Sequence, residues 1–340
     1  MVKVTLCQHE AVRGPSLRRR RIVACGRKPL IKARDIVKLP AQPPSGVHTI
    51  FGFFVGRFPR IPRETWLERF ASGKVWAEGL PIDTETPYRP LLDVHYRREV
   101  EHEPPVRKDY RIVWSDRHLM VLDKPPNLPV TPGGKWVRGC LVHLLQEATD
   151  NGGITPLHRL DRLTSGLVLF SLDLTTRSHY SRLFQPSSRV EKIYTAVCEV
   201  KNEAPPRTFA LTHHIARSSD EHWRQIVVPD RPANARMEVE ILSRSGVLVL
   251  ARARPVTGRK HQIRVPLAQA GLPILGDPLY GTNRSYRPED LSQRLWLDAY
   301  RITISDFGQP HDVGLLTRSW VSSRTPSGFF RRALESRNPD

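Results

Sequence analysis

Upstream of residue 110 sustained helical apolar spacing is confined to 62–70, with none over 1–44, and downstream of it the apolar positions fall mostly in short runs cut by Pro- and Gly-rich turns. In the first part, Pro62-Arg63-Glu64-Thr65-Trp66-Leu67-Glu68-Arg69-Phe70 has the period of an amphipathic helix, Ser72-Gly73 ends it, and 74–79 enters a turn as a strand. In the second, strands are expected over 111–114, 118–122, 190–198, 235–242, 247–254 and 295–304, with helices over 141–148 and 174–184. The alternation over 190–198 puts Lys192 and Tyr194 on one face of its strand. Rigid turn-rich loops are expected over 124–134 and 271–281.

Candidate chemistry concentrates in Pro156-Leu157-His158-Arg159-Leu160-Asp161-Arg162-Leu163-Thr164-Ser165-Gly166, an irregular segment that feeds the apolar run 167–170. A carboxylate half withdrawn from water among fixed guanidinium groups stays ionised at neutral pH and can act as a nucleophile, or it can simply pair with its neighbours. Lys192 and Tyr194 can hold a phosphate and stack on a base, or Tyr194 can pack across the sheet. Thr257-Gly258-Arg259-Lys260-His261-Gln262-Ile263-Arg264 offers donors after a Gly turn, suited to phosphate and sugar. Ile263, Val265 and Leu267 mark that segment as partly buried, so Arg264 needs an acid, for which Asp161 is the candidate. Gly133-Gly134-Lys135 is not a phosphate loop, because Trp136 stands where a magnesium-holding Ser or Thr belongs.

Charge narrows the partner. The 340 residues have room for about two domains and carry 53 Lys and Arg against 34 Asp and Glu, a net charge of +19 that favours a polyanion, nucleic acid first. No apolar run is long enough to span a bilayer and no signal-peptide core follows the basic start, so a membrane is not expected. Cys7, Cys25, Cys140 and Cys198 form no C-x-x-C pair, which points away from zinc and disulfides and toward a cytoplasmic enzyme with reduced thiols. The expected organisation is a flexible basic arm over 1–44, a small module over 45–100, a linker over 101–109 with Pro104 and Pro105, a large domain over 110–320 and a tail over 321–340. The helix, the Gly73-Lys74-Val75 turn and the strand of the small module are similar to the S4-like RNA-binding module.

Five ordered motifs give the large domain a family. Asp123-Lys124-Pro125 with Pro132-Gly133-Gly134, His158-Arg159-Leu160-Asp161 with Thr164-Ser165-Gly166-Leu167, Lys192-Ile193-Tyr194, 257–264, and Gly276-Asp277 with Leu279-Tyr280-Gly281 together resemble the catalytic domain of the RluA family of RNA pseudouridine synthases. The resemblance implies an α+β pseudouridine synthase fold, with a mixed, largely antiparallel sheet flanked by helices around a central cleft. It implies Asp161, Tyr194 and Arg264 as the catalytic set, with Tyr194 against the uracil, Arg264 on the carboxylate and Arg159 filling the space of a flipped uridine. His158, Arg159, Arg162, Lys192, Arg259, Lys260, His261 and Gln262 are the expected RNA contacts. The partner would be ribosomal or transfer RNA, with ribosomal RNA favoured by the S4-like module. A monomer with no metal and no nucleotide cofactor is expected. Pro266 and Leu297-Asp298-Ala299 depart from the family pattern, and their expected bearing is on RNA choice rather than reaction type. The competing readings are a catalytically silent RNA-binding or assembly factor and a base-excising glycosidase, which would need a second acid beside Asp161.

Overall fold

The structure, a computed structural model, describes residues 31–59, 61–100, 102–184, 190–201, 205–221, 223–281, 287–305 and 318–337; most of the expected basic arm, with Cys7 and Cys25, lies outside the described residues. The first unit comprises β1 (Ile31–Lys38), α1 (Ile50–Arg57), α2 (Arg63–Ala71), β2 (Val75–Ala77), β3 (Leu80–Pro81) and β4 (Asp93–Val100). Its strands form an antiparallel sheet in the order β1-β4-β2-β3. Thr49 starts α1 by accepting the Gly52 N–H at Oγ1, 3.1 Å away, and the helix then buries Ile50, Phe51, Phe53 and Phe54 against Trp66 and Phe70 of α2. Phe54 meets Trp66 edge to face, with ring centres 4.9 Å apart.

β1 corrects the expected arm boundary. Residues 31–38 pair along their whole length with β4, and Leu39 is buried in the module's core. The unit therefore includes residues 31–39, which the expectation had placed in the arm. The charges of Asp35 and Lys38 belong to an edge strand, where charge deters further pairing.

The second unit contains β5 (Arg111–Ser115), β6 (Leu119–Lys124), α3 (Leu141–Thr149), β7 (Thr155–Pro156), β8 (Ser165–Ser171), α4 (Arg177–Arg182), β9 (Val190–Glu199), β10 (Thr208–His213), β11 (Ile215–Arg217), β12 (Gln225–Val227), β13 (Ala235–Ser245), β14 (Leu248–Pro255), α5 (Arg264–Gln269), β15 (Leu297–Ile304), β16 (Arg318–Val321) and α6 (Pro326–Glu335). A mixed sheet runs β10-β13-β14-β9-β15-β8-β6-β5, with β16 on β15 and β7 on β8, and β11 pairs with β12 separately. Among its described pairings only β8 with β15 is parallel. That junction needs Gly166: at φ 107°, a Cβ there would lie 2.5 Å from the backbone of Ala299. The linker is anchored rather than loose, since the Glu103 carboxylate accepts the N–H groups of Val137, Arg138 and Gly139 at 2.9, 2.7 and 2.6 Å.

Three further expectations change. The helix expected over 174–184 shortens to α4, because Asp173 accepts the Thr175 N–H and hydroxyl at 2.8 Å and holds the chain in a turn. The expected tail over 321–340 instead carries α6, with Phe329, Phe330 and Ala333 in the core. Finally, Asp298 does not face a partner. Its buried carboxylate accepts the hydroxyls of Ser165 and Ser322 at 2.6 Å each and an Arg324 N–H at 3.3 Å. Arg324 also pairs with buried Asp123, so the departure at 298 is answered inside the protein. Pro266 sits in the first turn of α5, where a missing N–H removes no intrahelical hydrogen bond.

Candidate active site

The loop between β7 and β8 is folded back on itself at Asp161, whose carbonyl accepts the Thr164 N–H at 3.1 Å. This turn holds the Asp161 side chain at a cleft of about 430 Å³ whose other walls come from β9, from the 255–263 loop and from the start of α5. Asp161 is half-buried, with 29% of its side chain exposed. Arg264 donates from Nη1 to Asp161 Oδ2 at 2.9 Å, and His261 Nε2 stands 3.6 Å from the same oxygen. Both contacts converge on Oδ2, and Oδ1 has no hydrogen-bond partner among the described residues.

Arg264 is itself fixed from behind. Its Nε and Nη2 donate to the two oxygens of buried Asp277 at 2.8 Å each, a fork-to-fork geometry that leaves one guanidinium edge for Asp161. Burial lowers the guanidinium pKa, but Asp277 and then Asp161 outweigh it and raise the pKa above the ordinary arginine value. Burial is likewise the largest single influence on Asp161 and acts to neutralise it. Arg264, with lesser help from His261 and Lys260, outweighs it, and the carboxyl is held below its usual range. Gly276 before Asp277 is required because any Cβ there would collide with the Arg294 carbonyl.

His261 has a left-handed backbone, φ 56°, which costs about 1 kcal/mol or more outside glycine. Its Nδ1 meets the Tyr280 hydroxyl at 2.7 Å. That hydroxyl accepts the Gln225 N–H at 2.8 Å, so its own proton is free to point to Nδ1. The arrangement selects the neutral ring with Nε2–H toward Asp161. Burial, the main cause, pushes the His261 pKa down to about 4, with Asp161 opposing and Arg264 adding to the shift. The Tyr280 ring also lies under the Arg264 guanidinium at 5.2 Å.

Of the residues singled out in the sequence, Asp161, Tyr194 and Arg264 share the cleft with Arg159, Lys192, Arg259 and Lys260. Burial, and secondly the Asp161 charge, raise the Tyr194 pKa, so its phenol is neutral near pH 7. His158, His261 and Gln262 line the cleft as well, and several of these side chains are engaged within the fold: Arg259 Nε donates to the Asn234 carbonyl at 3.2 Å and Lys260 Nζ to the Trp223 carbonyl at 3.1 Å. His158 accepts the Leu169 N–H at Nε2, 3.2 Å away, and stacks on Phe184 at 5.0 Å. Gln262 accepts from Thr257 Oγ1 and the Arg259 N–H at 2.8 and 2.7 Å and donates to the Arg236 carbonyl at 3.0 Å, closing its own loop. Arg162 turns away from the cleft to Asn127 Oδ1 at 3.0 Å and the face of Trp136 at 4.5 Å.

Four residues escaped the sequence reading of the site. Asp277 and Tyr280 were visible as part of a family motif in the second rigid loop, with no role given to either. Phe184, which also takes the Lys192 ammonium over its ring at 5.2 Å, had no signal beyond an apolar helix end. Lys124 is fully buried, and its Nζ donates to the carbonyls of Pro125, Leu128 and Arg162 at 2.9, 2.8 and 3.2 Å. Burial pushes its pKa down to about 7, yet three carbonyl acceptors match an ammonium, which alone has three N–H donors. It ties the 125–128 turn to the backbone beside Asp161.

A family model described as RNA pseudouridylate synthase matches residues 118–269, which include Asp161, Tyr194 and Arg264. An uncharacterised RNA pseudouridine synthase of Synechocystis sp. is 31% identical over 248 residues, covering 70% of this chain and 83% of that protein. A human pseudouridylate synthase is 34% identical over 182 residues, 53% of this chain, but the match spans only 33% of that longer protein. Among solved structures, human RNA pseudouridylate synthase domain containing 1 superposes with a TM-score of 0.51 at 22% identity, covering 67% of this chain and 89% of that one, a likeness of fold. With a relative above 30% identity matched over most of its length, and a family model lying across the cleft itself, this chain belongs to the RNA pseudouridine synthase family.

Proposed function

We propose that the chain is an RluA-type enzyme that isomerises particular uridines in structured RNA, with Asp161 acting at the ribose. The observation that carries this reading is the asymmetry of the carboxylate: Oδ2 is bound by Arg264, and Oδ1 is left to a cleft walled by Tyr194. In the isomerisation the N1–C1′ bond breaks, the uracil turns and C5 bonds to C1′; C5 gives up its proton and N1 gains one. No atom is added or removed and no electron leaves, so the chemistry calls for no redox partner. Asp161 acts on the sugar as an ionised group, by attack at C1′ or by taking a proton from it. Arg264 keeps it ionised and aimed. Tyr194, neutral at working pH, supports the uracil face and accepts no proton as a phenolate would.

Reaching C1′ and C5 requires the uridine to leave its stack, at a cost of about a few kcal/mol. Stacking on Tyr194, worth ~1–3 kcal/mol, and entry of exposed Arg159 into the vacated space offset that cost. The α1-α2-β2 unit is read as an S4-like RNA-binding module. Its Trp76, stacked with His95 at 5.8 Å and carrying Arg97 over its ring at 5.9 Å, supplies an aromatic and a cation on one surface. On that reading ribosomal RNA is favoured over transfer RNA, and the chain acts as a cytoplasmic monomer.

The test is Asp161→Asn. Purified wild type and variant are incubated with total RNA from cells lacking the gene, and carbodiimide-resistant uridine adducts are mapped. New sites with wild type and none with the variant, at equal RNA affinity, are expected, and the position of the sites separates ribosomal from transfer RNA. Product formed by the variant near the wild-type rate would remove Asp161 from the chemistry. Retained binding with no new site from wild type would leave a silent RNA-binding factor.

A further inference from the structure

A second polar pocket, about 290 Å³, opens where the start of β5, the Pro125–Pro126 turn and α6 meet, and none of its lining residues belongs to the cleft of Asp161. Five arginines line it, Arg107, Arg111, Arg294, Arg324 and Arg332, against one carboxylate, Asp109. Two of these cations are already answered. Arg107 holds Asp109 through Nε and Nη2 at 3.0 and 2.6 Å, and Arg324 is bound to buried Asp123 and Asp298.

The other three have no carboxylate among the described residues. Arg111 and Arg332 reach it from the surface. Arg294 is different, because its guanidinium is packed over Trp296 at 4.3 Å and Phe329 at 5.0 Å. Its Nε and Nη2 are buried and have no acceptor. Burial above all, and then the charge of Arg324, depress its pKa to about 10, with Asp298 opposing and Arg332 and Arg107 adding to the shift. A buried guanidinium with open donors, surrounded by like charges, is an arrangement that folding alone disfavours. An anion entering the pocket would relieve the repulsion among the arginines that line it, Arg294 included.

We infer that this pocket is a phosphate-binding site, separate from the uridine cleft and formed by Arg294 and Arg332 with Arg111 at its rim. The guanidinium fork matches phosphate oxygens in pairs. A space of about 290 Å³ has room for a phosphate or diphosphate group. The site lies one turn behind the candidate catalytic loop, since Asn127 of the 125–128 turn donates to the carbonyls of Leu291 and Gln293 beside Arg294 and accepts from Arg162 beside Asp161. The phosphate can come from the RNA backbone or from a free phosphate compound. The inference does not depend on the isomerase reading, because its readouts are thermal stability and binding and stay valid for an inactive chain.

The experiment compares full-length wild type, Arg332→Ala, Arg294→Met and, as a charge-matched control on the same helix, Arg331→Ala, whose arginine stands 3.7 Å from Glu335 on the outer face. Thermal unfolding is followed with millimolar sodium pyrophosphate against sodium chloride of equal ionic strength, and RNA affinity is measured in parallel. Pyrophosphate is expected to raise the midpoint of wild type and Arg331→Ala by several degrees beyond the salt control. Arg332→Ala should lose most of that rise. Arg294→Met, relieved of its unpaired charge, should begin higher and show none.

If the RNA backbone is the source, Arg332→Ala binds RNA about tenfold more weakly than Arg331→Ala, and pyrophosphate competes. If a free phosphate compound is the source, the two variants bind RNA alike while the thermal effect remains. A rise that survives in both pocket variants, or no rise together with equal RNA affinity in Arg332→Ala and Arg331→Ala, overturns the site.

Discussion

Asp161 owes its charge and its aim to a residue thirteen positions beyond its own partner. Asp277 is buried and gives both oxygens to Arg264, so it decides where the guanidinium points and offsets the cost of burying its charge. Asp277→Asn keeps the shape but removes the countercharge. It should cost about 3 kcal/mol of stability, read from the urea midpoint, and lower single-turnover product formation about a hundredfold through misplacement of Asp161, with RNA affinity unchanged. Wild-type turnover in that variant would mean that Arg264 needs no support. His261 sets a separate, pH-linked term. Its folded pKa, about 4, lies below the roughly 6.5 of an unfolded histidine. The stability linked to it is therefore fully present above about pH 6.5 and is lost as pH falls toward 4, because there the unfolded chain binds the proton and the folded one does not. His158, depressed by burial and then by Lys192, acts in the same direction. His261→Asn, which tolerates the left-handed backbone, should flatten the pH dependence of the unfolding free energy between pH 4.5 and 6.5. An unaltered slope would place the proton uptake elsewhere.

At the scale of elements, the 125–128 turn depends on one buried ammonium. Lys124→Met leaves the carbonyls of Pro125 and Leu128 without a donor, at about 1–3 kcal/mol for each that water cannot reach, and removes one of the two donors to the Arg162 carbonyl next to Asp161, which keeps the Leu128 N–H. The expected outcome is a lower unfolding midpoint together with slower turnover, measured by denaturation and single-turnover assay; a variant stable and active as wild type would show the turn to be self-supporting. Such contacts also mark what the sequence could and could not reveal. The strands over 190–198 and 295–304 were legible because alternation and buried runs are local, and so was the segment holding Asp161. The Arg264–Asp161 pairing was legible as a demand, since an arginine among Ile263, Val265 and Leu267 must find an acid. That Asp277 would take the larger share was not, because nothing local says that a Gly-Asp in a distant loop turns back on the same arginine. β1 was hidden by the charges of an edge strand, and α6 by its place at the end of the chain, although Thr325-Pro326 with Phe329, Phe330 and Ala333 carries both a start signal and an apolar face.

For the whole molecule, the excess of cations in the sequence was a better guide to the partner than to the residues that meet it. Of the eight side chains expected to contact RNA, Arg162 is turned away from the cleft and the other seven line it, His158 and Gln262 through hydrogen bonds inside the fold, Arg259 and Lys260 with one bond each to a backbone carbonyl, and His261 facing Asp161. Composition cannot make that division, since a guanidinium on a Trp face and one at a cleft mouth are the same letter. Ionic strength can separate them. Each phosphate neutralised by a cation steepens the fall of affinity with salt by a slope of roughly 0.7–0.9 on logarithmic axes. Arg259→Ala, on the exposed rim of the cleft, should therefore weaken binding to every RNA tested by a similar factor and reduce the slope by about one. Arg162→Met should leave the slope unchanged and show its effect in the unfolding midpoint, because its charge is committed to Asn127 and Trp136. The two variants are titrated with the same RNA at 50–300 mM salt. A reduced slope in Arg162→Met, with Arg259→Ala unchanged, would invert the assignment and move the RNA path to the Trp136 side of the loop.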